Sequence, residues 1–66
     1  MYKIKKEVGI LVRKKYKMQY ICEKANVSQA YLSNVFNGKN NCSIKIAKPI
    51  ADAIGCKIED LFIKVN

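Results

Sequence analysis

Histidine and tryptophan are both absent from the 66 residues. Without histidine, no Ser-His or Cys-His catalytic pair and no His-bearing metal site can be assembled. Acidic residues are scarce: Glu7, Glu23, Asp52, Glu59 and Asp60 stand against thirteen Lys+Arg. Only Glu59 and Asp60 are adjacent, where they suit the first turn of a helix better than acid-base chemistry. Cys22, Cys42 and Cys56 are separated by 20 and 14 residues, so there is no Cys-x-x-Cys pair. An odd number of cysteines closes no disulfide framework, and all three read as small apolar packing residues. Neither an enzyme nor a metal, cofactor or small-molecule ligand is expected. No apolar run reaches the ~18 residues of a transmembrane helix, so no transmembrane helix is implied, and a membrane is not the expected partner. Met1-Tyr2-Lys3-Ile4-Lys5-Lys6 leads into no apolar signal core, which makes the cytoplasm the expected location.

What is present is basic and apolar together. The net charge is +8, and half the residues are hydrophobic. That is too apolar for a disordered basic tail, so a folded domain with an anionic partner is expected. A chain of this length buries only ~60% of the surface its unfolded form exposes, enough for one domain over 1–66 without a large cleft.

Apolar spacing and turn signals divide the chain into five helices. Ile4, Val8, Leu11 and Val12 share one helical face, with Lys5, Lys6, Arg13 and Lys14 on the other, predicting helix one over Ile4 to Lys15. Gly9 within it is either a weakness of ~1 kcal/mol or a point of close helix approach. Helix two runs from Met18 to Lys24 and ends at Ala25-Asn26-Val27, where Asn tolerates left-handed backbone. Ser28 caps helix three, Gln29 to Phe36, which carries Leu32, Val35 and Phe36 inward and stops at Asn37-Gly38. Ser43 can cap helix four, with Ile44, Ala47, Ile50, Ala51 and Ile54 on one face and Gly55 as its stop. Pro49 inside that stretch deprives the Lys45 carbonyl of its partner, so a kink or a delayed start is expected. Ile58 to Phe62 forms a short fifth helix. Tyr2-Lys3-Ile4 and Phe62-Ile63-Lys64-Val65 alternate weakly and could pair as short strands. Helices two and three, each about two turns and closely spaced, match a helix-turn-helix unit over about 18–36.

The string Ile21-Cys22-Glu23-Lys24-Ala25-Asn26-Val27-Ser28, followed by Leu32, Val35 and Asn37-Gly38-Lys39, resembles the phage repressor and Cro (XRE) helix-turn-helix family. The later string from Ile50 to Phe62 is similar to that family's fourth and fifth helices, and the resemblance spans roughly residues 4 to 62. It implies an all-α, five-helix, lambda repressor-like DNA-binding domain. Cys22 stands where the family prefers alanine, and Asn26 where it usually has glycine.

On helix three, Ala30, Asn34 and Asn37 point outward, Ser33 lies at the edge and Gln29 sits at the tip. The family's base-reading positions align with Gln29, Ala30, Tyr31 and Asn34. Gln and Asn can pair with adenine N6/N7, and Ala30 can touch a thymine methyl. Tyr31 could read a base edge or lie along a phosphate. Without the resemblance, the same residues would read as an ordinary solvated face.

Lys17 and Gln19 flank Met18, which replaces a phosphate-binding Gln of many relatives. Asn37 and Lys39 match family phosphate positions, and Asn40 and Asn41 add to them. The Arg13–Lys15 run lies beside this region. Many relatives also pair an Arg late in helix one with a Glu at the end of helix three. Here the Glu position is Phe36 and the Arg position is Leu11 or Val12, so both ionic partners are replaced by apolar ones.

The resemblance implies a sequence-specific regulator of double-stranded DNA, a repressor acting as a homodimer on an inverted-repeat operator. Leu61, Phe62, Ile63 and Val65 are candidates for dimer contacts, and equally for closing the core. The alternative is an interaction module of the same fold that holds a partner regulator or toxin.

Overall fold

The computed structural model describes residues 1–65. In chain order the elements are β1 (Tyr2–Ile4), α1 (Lys6–Lys15), α2 (Met18–Ala25), α3 (Gln29–Phe36), α4 (Ile44–Ile54), α5 (Ile58–Leu61) and β2 (Phe62–Lys64). The protein is all-α apart from two short terminal strands.

Those strands pair antiparallel, Tyr2 with Lys64, Lys3 with Ile63 and Ile4 with Phe62. On its other side Tyr2 exchanges two backbone hydrogen bonds with Cys42, of 2.7 and 2.9 Å. Tyr2 is thus held from both sides. This corrects the expected start of helix one. Ile4 belongs to β1, and Lys5 is extended ahead of α1. Ile4 is still a core residue, but the strand, not the helix, takes it inward. With Ile4 outside the helix, the inward face of α1 turns to Val8, Gly9 and Val12, and Leu11 is 65% exposed. Val12, not Leu11, is therefore the apolar residue that occupies the inner position.

Gly9 acts as the point of close approach. A Cβ built on it would lie 3.2 Å from the Phe36 carbonyl oxygen, tighter than ordinary contact, so α1 and the end of α3 touch through backbone. Tyr16 secures the other end of α1, its hydroxyl donating to the Ile54 carbonyl at 3.2 Å.

The core joins Ile21, Leu32, Val35, Ile50 and Leu61 with Ile4, Val12, Phe36, Ala47, Ala51, Phe62 and the Cys42 side chain. No charged residue is buried among the described residues. α4 runs unbroken from Ile44 to Gly55, which caps it with φ 86°, so Pro49 does not delay its start. Lys45, whose carbonyl loses its helical partner, is exposed to water. Ile44 opens the helix outside the core, 49% exposed, while Ala47, Ile50 and Ala51 carry the packing. α5 is one residue shorter than expected, since Phe62 turns extended and begins β2. The Asp60 carboxylate accepts from the Lys57 N–H at 3.2 Å and so caps α5.

The cysteines divide. Cys22 and Cys42 are buried, and burial raises both thiol pKa values above the usual range. Cys56 corrects the expectation that all three are packing residues: it follows the Gly55 cap and is exposed. Because the thiolate is the reactive form, a maleimide reagent at neutral pH should label Cys56 alone in the folded protein. Mass spectrometry should find one adduct under native conditions and three in denaturant. A second native adduct would show that the core around Cys22 or Cys42 opens readily.

Candidate nucleic-acid interface

The turn between α2 and α3 is built by two residues. Asn26 takes left-handed backbone at φ 57°, ψ 48°, which ends α2, and the Val27 N–H donates to the Cys22 carbonyl at 3.1 Å. The Ser28 hydroxyl then accepts from the Tyr31 N–H at 3.1 Å, satisfying one of the free donors at the start of α3. Ile21, Cys22 and Ala25 from α2 are buried with Leu32, Val35 and Phe36 from α3. These six side chains belong to one buried cluster, which fixes the two helices against the core.

With that face buried, α3 turns the opposite one outward. Gln29 and Ala30 at its tip are exposed, and Tyr31, Ser33 and Asn34 are half-buried. Tyr31 also packs its ring against the core, so only part of it remains for a ligand. The Asn34 carbonyl accepts from the N–H groups of Lys39 and Asn40, at 2.9 and 3.3 Å. Its backbone thus anchors the turn that follows the helix, while Gly38 makes the reversal with φ 79°.

This turn gathers Asn37, Lys39, Asn40 and Asn41 at the end of α3; all are exposed except Asn40, which is half-buried. Lys17 and Gln19 lie apart from them, at the start of α2. Lys17 holds the N-cap position, and no side chain caps the helix there, leaving first-turn N–H groups free. Met18 is half-buried against the core, as befits a side chain that cannot bind an anion. The Gln19 amide leans toward Glu23 of its own helix, donating at 3.4 Å.

One contact at this surface was missed in the sequence. Arg13 Nη1 donates to Asn37 Oδ1 at 2.7 Å, linking the last turn of α1 to the cap of α3 across 24 residues. The run Arg13-Lys14-Lys15 marked the segment as basic, but nothing in it pointed to Asn37. The dimer candidates also separate. Leu61 and Phe62 are each 2% exposed and close the core, which removes them from any free surface, whereas Ile63 is 52% exposed and Val65 half-buried.

Among the described residues, no cluster of three or more metal-binding side chains forms, and no helix is long and apolar enough to cross a membrane. No curated protein and no solved structure matches the chain. A sequence model described as helix-turn-helix matches residues 10–61, which takes in α2, α3, α4 and α5. A capped α2–turn–α3 unit, a polar face turned outward and a family match over most of the length agree: the chain belongs to the helix-turn-helix family, of the broad repressor and Cro type, whose domains are DNA-binding regulatory modules.

Proposed function

We propose that the protein is a sequence-specific, double-stranded DNA-binding repressor of the lambda repressor-like kind, working in the cytoplasm as a homodimer. α3 enters the major groove with its N-terminal turn first. Gln29, Ala30, Tyr31, Ser33 and Asn34 read base edges, and Lys17, Gln19, Asn37, Lys39, Asn40 and Asn41 contact phosphates. The observation that carries this reading is the exposed tip of α3: Gln29 and Ala30 face solvent from a helix whose Leu32, Val35 and Phe36 are locked into the core. A rigid helix with an uncommitted polar tip meets a groove without having to be ordered on binding. One such helix spans only a few base pairs, so a second copy is needed to specify a site. Ile63 remains as an exposed apolar residue for that contact.

Selection of bound duplexes from random DNA tests the proposal. The expected result is an inverted repeat with half-sites about 10 base pairs apart, centre to centre. Affinity should fall steeply with salt, with a slope set by ~6–10 phosphate contacts per dimer. Recovery of no motif at modest salt would sink the proposal, and a flat salt dependence would favour an interaction module for a protein partner.

A further inference from the structure

A second basic feature lies outside the helix-turn-helix. Lys3 on β1 and Lys6 at the start of α1 line a cavity of about 210 Å3, together with Ile4, Phe36, Asn37 and Gly38. Ile4 and Phe36 are buried and form its floor. Lys3, Lys6 and Asn37 are its polar lining residues, and none of the lining side chains is acidic. Lys3 runs along Gly38, where a built Cβ would sit 3.7 Å from the Lys3 Cε. Glycine at that position leaves room for the lysine stem.

Arg13 reaches the same rim by its hydrogen bond to Asn37. A guanidinium can only donate, so the Asn37 oxygen is taken up and Nδ2 is the end of the amide left to act. The cavity is therefore lined by two lysine side chains and by an amide whose free end is a donor. That set suits a tetrahedral anion and no cation.

We propose that this cavity seats a backbone phosphate of duplex DNA, with Lys3 and Lys6 as its charged walls and Asn37 Nδ2 as its hydrogen-bond donor. The inference rests on the DNA-binding reading above and extends it to residues outside the recognised unit. Eight residues of helix are ~12 Å long, and the major groove is ~8.5 Å deep. With Gln29 against the bases, Asn37 stands at the groove wall, where the phosphates run. Lys3 is held there by the pairing of β1 with β2 and with Cys42, so its backbone needs no further ordering when DNA binds. Arg13 acts as a positioning residue, setting the Asn37 amide.

The test is the double substitution Lys3→Ala with Lys6→Ala in the full chain, measured against a selected duplex between ~50 and ~200 mM salt. Lys48→Ala with Lys57→Ala, which removes the same charge beside α4 and α5, is the control. Lys3 and Lys6 are both exposed, outside the core, so the melting temperature should not change. In the Lys3/Lys6 variant alone, the slope of log K against log salt should become shallower by ~0.9 per bound protomer. The affinity lost across that salt range then shrinks by about 3.5-fold per protomer, with the preference among base sequences unchanged. A slope equal to the control's overturns the proposal while leaving DNA binding intact. If Asn37 and Gly38 amide shifts respond to added inorganic phosphate but the duplex slope still equals the control's, the cavity is a free-anion site and the DNA assignment is overturned. Absence of salt-dependent duplex binding by the unsubstituted protein would instead overturn the DNA-binding reading, and this inference with it.

Discussion

Phe36→Glu should cost about 3 kcal/mol or more and leave much of the protein unfolded at room temperature. Phe36 closes α3 at 5% exposure, in the core with Ile4 and Val12. A carboxylate placed there loses its water and finds no buried cation, since no charged residue is buried among the described residues. Domains hold only about 0.05–0.15 kcal/mol per residue, so a chain this short has little reserve against such a loss. Far-UV circular dichroism on heating should show a lowered midpoint and a reduced native baseline. An unchanged melting temperature would place the Phe36 side chain outside the core. In this chain Phe36 and Val12 are both apolar and buried, whereas Leu11 faces solvent. Exchanging a buried ion pair for packed apolar groups costs little when both members change together. Changing one alone strands a charge.

The second large effect concerns specificity rather than stability. Gln29→Ala with Asn34→Ala should relax sequence discrimination by about 1–3 kcal/mol per lost contact, while non-specific affinity and its salt slope stay nearly constant. Both positions lie outside the core, and alanine suits a helix, so the fold should survive. The backbone carbonyl of Asn34, which holds Lys39 and Asn40 in the following turn, is untouched by the substitution. Competition binding with single-base variants of the selected site measures the outcome. If only non-specific affinity falls, the outward face of α3 is not the reading face.

Much of the central unit was legible because its signals are local. Asn26 and Ser28 act on backbone groups within a few residues, so the end of α2 and the start of α3 lie where the residue types put them. Leu32, Val35 and Phe36 share a face through helical spacing alone, and Gly55 stops α4 by its left-handed backbone. The first helix was harder to place. Ile4 fits its apolar spacing, yet pairing with Phe62 and the neighbouring bonds to Cys42 draw it into a strand. That competition is between partners far apart in the chain, and with Ile4 taken out of the helical face Leu11 is left facing solvent.

The surplus of lysine and arginine called for an anionic partner, the caps and the apolar spacing determined the helices and the outward face of α3, and the string from Ile21 to Ser28 with Asn37-Gly38-Lys39 carried the family resemblance. Each of these depends on residue chemistry or on neighbours a few positions away. The tertiary structure alone decided that Leu61 and Phe62 close the core, that Cys56 is exposed, that Arg13 bonds to Asn37, and that Lys3 and Lys6 line one cavity with that residue. Those outcomes depend on which distant segments pack together. A run of lysines shows how much charge is available, but only the fold decides which charges converge on one place.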